Sequence, residues 1–300
     1  MTNIILLCIS LAAGLAWNVL RKVYVARTPE GLNHTFFYNF AAGLLCIATF
    51  LVWGGFGSAS LFTVLMGIGF GLLNLTSMIC NIWALKIGPM SYTTVIISFA
   101  TLISALSGVA FFNETLGWTQ MVGIPLMLVS FVLAVDKSED NKGFSLRWLL
   151  LCLAAFLAVG GIGVMQKFHG TSVYSGESNA FLVIAFLTVS VCCAVVPALL
   201  RKKGQTAEKT GLRLKWNKDT LILLACIFFG GIAIAANNKL NLYLSAQMNS
   251  AVFFPIVNGG GLILTTLFAI AVFREKLTLK KWLGLSFGIL SVLFLCIPSA

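Results

Sequence analysis

Residues 104–131 read SALSGVAFFNETLGWTQMVGIPLMLVSF, and the pattern returns 161 positions later at residues 265–292, TTLFAIAVFREKLTLKKWLGLSFGILSV. The two stretches align without gaps: Leu106 with Leu267, Ala110 with Ala271, Phe112 with Phe273, Glu114 with Glu275, Leu116 with Leu277, Gly123 with Gly284 and Ser130 with Ser291. Each reads apolar helix, short turn carrying Glu-x-Leu, apolar helix. A period this long is no solenoid repeat; it points to two homologous halves of one helical bundle.

That bundle belongs in a bilayer. The chain is 59% hydrophobic and 10% charged, against an apolar share of about 45–50% in soluble domains. A helix needs roughly 17–25 mostly apolar residues to cross a hydrocarbon core about 30 Å thick. Ten such runs are predicted: 4–20, 34–53, 61–85, 91–112, 118–135, 147–166, 179–200, 220–244, 250–273 and 282–298. Barrel strands would alternate apolar and polar residues, and these runs do not. The expected fold is therefore an all-α polytopic membrane protein with two inverted five-helix repeats.

The first run is preceded by Met1-Thr2-Asn3 without a positive charge, and Arg21, Lys22 and Arg27 follow it. It reads as a retained helix rather than a secretory signal. The eight cysteines, Cys8, Cys46, Cys80, Cys152, Cys192, Cys193, Cys226 and Cys296, all fall in predicted helices without Cys-x-x-Cys spacing, as small packing residues do.

The net charge of +11 is unevenly placed. Of the 20 Lys and Arg, all but Lys167 and Lys239 fall in the odd-numbered connections of the ten-helix layout. Cations in short loops mark the cytoplasmic side, so the odd loops are expected to face the cytoplasm and both termini the outside. This accounts for the basic balance without a nucleic-acid partner. The longest polar loop, Arg201 to Lys218, reads as a flexible connection.

The halves meet at Asp136–Ser145, giving repeats over residues 1–140 and 141–300. Five helices per half is an odd number, so the second repeat enters the membrane inverted. The first two helices of each half align at a smaller offset, 145, pairing Val19 with Val164, Lys22 with Lys167 and Phe36 with Phe181. The longer loop after the seventh helix absorbs the difference.

Three motifs carry a family resemblance. They are Trp83-Ala84-Leu85-Lys86-Ile87-Gly88-Pro89-Met90-Ser91, Phe112-Asn113-Glu114-Thr115-Leu116 with Gly123, and Phe273-Arg274-Glu275-Lys276-Leu277 with Gly284. The chain resembles the drug/metabolite transporter superfamily in its EamA-like, ten-helix branch. Two departures stand out: Asn113 and Arg274 replace the family's usual glycine before the glutamate, and the second hinge, Gln247-Met248-Asn249-Ser250, lacks Gly-Pro. The resemblance implies solute transport by alternating access around a cavity lined by the first four helices of each half. It also implies that the fifth and tenth helices pack at the edge, often against a second copy, so a homodimer is a candidate assembly.

The acidic residues, Glu30, Glu114, Asp136, Glu139, Asp140, Glu177, Glu208, Asp219 and Glu275, all lie in predicted loops or at helix ends. That argues against a mid-membrane carboxylate relay. Glu114 and Glu275 read as carboxylates at the N-terminus of the helix that follows each. The candidate substrate-binding residues start from the eighth helix, where Asn237, Asn238, Lys239, Asn241 and Tyr243 cluster, with Asn237 and Asn241 on one face. Asn74 and Asn81 flank their repeat equivalents Thr76, Ser77 and Met78, and Trp17, Asn18 and Asn258 complete the set. Lys239 is the one cation inside a predicted span. It either attracts an anionic group or snorkels about 8 Å to the helix end near Ser245. Pro255 with Gly259, Gly260 and Gly261 reads either as a hinge in the ninth helix or as close packing.

The expected function is secondary transport of a small polar metabolite across the cell inner (plasma) membrane by a facilitator or exchanger. A proton-coupled drug or amine exporter and a channel are the rival readings. The chain carries no His-Glu-x-x-His, Ser/His/Asp set or Gly-x-x-x-x-Gly-Lys loop. Neither an enzyme nor an ATP-driven pump is expected, and no cofactor or metal.

Overall fold

The computed structural model describes residues 2–28, 32–135, 145–199, 218–273 and 278–297. Among these residues the chain is helical throughout: α1 (Thr2–Arg27), α2 (Leu32–Gly54), α3 (Leu61–Ile87), α4 (Met90–Ser98), α5 (Thr101–Phe111), α6 (Trp118–Ala134), α7 (Leu146–Thr171), α8 (Ser178–Leu199), α9 (Lys218–Gln247), α10 (Ser250–Phe273) and α11 (Leu279–Cys296). A 3₁₀ turn, Ser175–Glu177, leads into α8. Helices α4 and α5 form one apolar span, Met90–Phe111, interrupted at Phe99–Ala100. Among the described residues nine spans are long and apolar enough to cross a bilayer, and α6, with 17 residues, is a shorter apolar helix.

The expected spans are all present, but several helices outrun them. Backbone hydrogen bonding continues past the apolar run, so α1 extends to Arg27 and Thr28 Oγ1 closes it on Tyr24 O at 3.1 Å. In α7, Thr171 Oγ1 donates to Lys167 O at 2.8 Å. Arg21 and Lys22, assigned above to a connection, and Lys167, just beyond the predicted span 147–166, are therefore helical, and Lys239 is not the one cation within a span. The Pro255–Gly261 stretch shows no unwinding. Helix α10 runs unbroken from Ser250 to Phe273, and Gly259 takes the Met127 thioether where a Cβ would collide with it. The packing reading holds there.

The described chain divides into two compact units, each drawing on both sequence halves. One comprises Met1–Leu11, Thr76–Ser172 and Asn241–Ala300. Within it α6 packs along α11, α5 along α7 and α10, and α4 along α7. Its core is built from Leu7, Met127, Phe131, Leu244, Phe253, Phe254, Ile256 and Leu295. In lipid there is no hydrophobic drive between helices, so close fit and interhelical hydrogen bonds hold them. The α6–α11 pair shows both. Ser130 Oγ donates to Gly284 O at 2.7 Å, and Ser291 Oγ donates to Gly123 O at 2.6 Å. These are the residues that align at the 161 offset, and each makes the bond its equivalent makes. A Cβ at Gly123 would lie 2.7 Å from Leu295 Cγ, and one at Gly284 2.9 Å from Ala134 N. Bare glycine backbones are what let the two serines reach.

At another edge of this unit, Trp148 fixes the α3–α4 connection. Ser145 caps α7 by accepting from Trp148 N, and the Trp148 indole donates to Thr93 Oγ1 at 2.8 Å. Its ring lies over Gly88, where any Cβ would collide. The Gly88-Pro89 pair ends α3 and starts α4, because Pro89 lacks the donor a continuing helix needs.

The second unit comprises Ala12–Leu75 and Val173–Leu240. Helix α2 packs along α8, and Tyr24, Tyr38, Leu223, Cys226 and Ile227 form a buried cluster with Trp17 and Leu20 against it.

Candidate functional site

Of the ten sequence candidates, Trp17, Asn18, Asn74, Asn237, Asn238 and Lys239 belong to the second unit. The Trp17 ring stacks on Tyr38 with centroids 5.3 Å apart, while Asn18, next in the helix, is exposed. Asn74 Nδ2 donates to Phe70 O at 2.9 Å, and Asn238 Nδ2 to Ile234 O at 2.9 Å. These amides park their NH2 groups on the carbonyl four residues back, which tolerates a polar side chain in an apolar span. The Asn237 amide lies over Gly14, where a Cβ would stand 3.1 Å from Nδ2.

Lys239 Nζ donates to Ser178 Oγ at 2.9 Å and also to Asn179 Oδ1. Because α9 runs to Gln247, the amine is about 12 Å from its own helix end at 1.5 Å per residue. It reaches sideways to the first turn of α8 instead. Beside it, Glu177 ties that turn to the start of α3, accepting from Ser60 N at 2.9 Å and Ser60 Oγ at 2.7 Å.

Asn81, Asn241, Tyr243 and Asn258 belong to the first unit. Asn241 Oδ1 accepts from Ser10 Oγ at 2.6 Å, and Asn258 Nδ2 donates to Thr101 Oγ1 at 3.0 Å. Asn81 is partly buried, whereas Tyr243 is 50% exposed. Tyr243 thus points away from the interior that takes Leu242 and Leu244.

The strongest polar assembly in this unit was missing from the sequence candidates. Lys167 Nζ lies 2.5 Å from Glu114 Oε1 and 2.8 Å from Met248 O, and Glu114 Oε2 accepts from Ser250 N at 2.8 Å. The Lys167 side chain is 3% exposed and that of Glu114 16%. Glu114 caps a helix N-terminus, as expected, but the helix is α10 rather than the α6 that follows it. Local geometry explains this. Phe112 N and Glu114 N both donate to Gly108 O at 3.0 Å, and Asn113 adopts φ 52°. This left-handed residue ends α5 and turns Glu114 back beside Gly108, whose lack of a Cβ leaves room for Oε2. Asparagine tolerates that conformation better than other residues with a side chain, which accounts for Asn113 in place of glycine. Glu275 and Arg274, the equivalents in the second copy, lie outside the described residues. A signal existed: Lys167 and Glu114 are opposite charges in even-numbered connections, where charge is scarce.

An all-helical chain with repeat-related helix contacts and nine long apolar spans among its described residues defines a polytopic membrane protein. Residues 1–135 match the sequence profile of the EamA-like transporter family, which is part of the drug/metabolite transporter superfamily. The matched family is one of membrane transporters rather than of enzymes. An uncharacterized protein of Haemophilus influenzae (strain ATCC 51907 / DSM 11121 / KW20 / Rd) is 23% identical over 194 residues, 62% of this chain. The match spans 60% of that relative's length. One solved crystal structure is similar with a TM-score of 0.71, covering 96% of this chain and 95% of that chain at 14% identity. At that identity the likeness concerns the fold alone.

Proposed function

We propose that the chain is a secondary transporter that moves a small polar metabolite across the cell inner membrane by alternating access, as a facilitator or exchanger. The observation that carries this reading is the reciprocal lock of α6 and α11, in which equivalent residues 161 positions apart exchange the same serine-to-glycine bond. It supports a two-fold relation between residues 1–140 and 141–300. Inverted repeats of this kind supply two related arrangements of one bundle, open to opposite sides. The charge bias supports odd-numbered connections in the cytoplasm and termini outside. The candidate solute contacts are Trp17, Asn18, Asn74, Asn237, Asn238 and Lys239 within the second unit and, by themselves, Asn81, Asn241, Tyr243 and Asn258 within the first. Glu114, engaged by Lys167 and Ser250 N, favours facilitation or exchange over proton coupling through that carboxylate.

Counterflow in proteoliposomes tests the reading. A labelled solute should accumulate transiently against an unlabelled internal pool, with flux that saturates, and Asn237→Ala with Asn238→Ala should raise KM. Flux that rises linearly with concentration, without counterflow, would mean a channel and overturn it.

A further inference from the structure

In the second unit, Trp17, Arg21 and Tyr24 are spaced four and three residues apart on α1, so they share one face. Tyr38 of α2 packs against that face, stacked on Trp17 at 5.3 Å and 4.5 Å from the Tyr24 ring centroid. On the far side stands Gly230 of α9, where a Cβ would lie 2.6 Å from the Tyr38 hydroxyl and 3.5 Å from the Trp17 ring. The rings are 0% exposed for Tyr24 and 1% for Tyr38. Both hydroxyls lack a hydrogen-bond partner among the described residues. Buried phenols without partners are rare, since each forfeits about 1–3 kcal/mol of hydrogen bonding. Two in ring contact mark a place made for something that accepts their protons.

The charge beside them says what. The Arg21 guanidinium is near enough to Tyr38 for the two to interact electrostatically, and no carboxylate of the described residues forms an ion pair with it. Arg21 and Trp17 remain partly exposed, while the two phenols are buried. A guanidinium on the same face of α1 as Tyr24, interacting electrostatically with Tyr38, together with two unpartnered phenol donors, suits an oxyanion, because Arg binds carboxylate and phosphate in a bidentate manner and Tyr completes the donor set. The indole face suits the flat or apolar body to which the oxyanion is attached.

We propose that Arg21, Tyr24, Tyr38 and Trp17 form an oxyanion site, with Arg21 and the two phenols binding the carboxylate or phosphate group and Trp17 packing on the body that bears it. The site deepens the carrier reading and rests on it for the claim that the bound oxyanion is cargo. The same donors could meet a free solute or a phospholipid headgroup, and the two sources are separable.

The experiment is a melting-temperature series on the full chain purified in a neutral detergent. The probes are succinate, inorganic phosphate, glucose 6-phosphate, glucose and choline, and phosphatidylglycerol is added in a second arm. The variants are Arg21→Gln and Tyr38→Phe. A ligand that binds the folded state raises the melting temperature by mass action. We expect an oxyanion to stabilise the parent, glucose and choline to do nothing, and Arg21→Gln to abolish the shift. Tyr38→Phe keeps the ring stack and removes only a hydroxyl that has no partner. It should therefore leave the ligand-free melting temperature no lower than that of the parent while weakening the oxyanion about 10-fold or more. A shift from the soluble probes assigns a solute; a shift from phosphatidylglycerol alone assigns a headgroup, and both keep the oxyanion site. Silence from every oxyanion, or a shift that survives both variants, overturns it. Counterflow is scored separately. Counterflow that persists when the shift is Arg21-independent sinks the site alone, and oxyanion binding without counterflow of any solute sinks the carrier reading alone.

Discussion

Lys167 and Lys239 both lie within helices of this chain, and their surroundings differ in kind. Lys167 in α7 is 3% exposed at its side chain and meets a carboxylate, that of Glu114, together with a backbone carbonyl. Lys239 in α9 is partly exposed and meets a hydroxyl and an amide oxygen. Shielding from water decides which partner each requires. An ammonium shut away from water needs an opposite charge, because dipoles alone do not replace its hydration. An ammonium still open to solvent is satisfied by neutral acceptors and can exchange them. The sequence makes the same division. At the 145 offset Lys167 aligns with Lys22 and at the 161 offset Glu114 aligns with Glu275, whereas Lys239 aligns with Met78. The carboxylate-paired lysine has charged equivalents in both halves; the neutral-paired one is an addition to a single half. A feature present in both halves serves the bundle, and one present in a single half is the better candidate for solute recognition.

The sharpest way to break the comparison is to delete each ammonium in turn. Lys167→Ala leaves Glu114 without its counter-charge in a water-poor site, and loss of one partner of a buried pair costs about 3–5 kcal/mol. Since Glu114 retains some exposure, we expect about 3 kcal/mol, read as a lowered unfolding midpoint in mixed micelles. Combining Lys167→Met with Glu114→Gln should recover more than half of that loss, because the charge is gone and Gln can still accept from Ser250 N. If the double variant is as unstable as the single, the node is held by packing rather than by charge.

A smaller effect tests how Glu114 is aimed. Asn113→Val places a β-branched residue at φ 52°, and left-handed backbone costs such a residue about 1–2 kcal/mol more than it costs Asn or Gly. Asn113→Gly should be neutral within a few tenths. Nothing comparable positions Lys239, whose partners start α8, so only the Lys167 node should respond to a backbone substitution.

The sequence made the spans legible and left their ends obscure. Apolar runs fix where a helix must cross lipid, and ten of them were readable. Apolarity alone does not fix where a helix ends, because helical hydrogen bonding does not stop at the first cation, and Arg21, Lys22 and Lys167 extend α1 and α7 beyond their apolar runs. The serine and glycine equivalents at positions 123, 130, 284 and 291 were visible as repeats, though not as partners of one another. Glu114 was recognised as a cap, but its true helix begins 136 residues later at Ser250. Pairings at that separation leave no local periodicity to read. Tyr38 is legible in the sequence only as a tyrosine within the run 34–53, whereas its ring contact with Tyr24 and the unpartnered hydroxyls depend on how α1 and α2 pack.

The smallest effect is the one that most sharpens the contrast. Lys239→Met removes an ammonium whose partners are neutral and partly hydrated, so its loss strands no buried charge. Ser178 and Asn179 can turn to other groups, and Asn179 Nδ2 already donates to Gly55 O at 3.3 Å. Exposed polar contacts of this kind are worth below about 1 kcal/mol. We therefore expect the unfolding midpoint of Lys239→Met to stay close to that of the parent, well apart from Lys167→Ala. The transport readout should invert the order. If Lys239 exchanges its neutral partners for an anionic solute, KM in counterflow rises severalfold in a protein of parental stability. A Lys239→Met protein as unstable as Lys167→Ala would erase the distinction and make both lysines structural; one with parental stability and parental KM would confine Lys239 to anchoring α9 on the first turn of α8.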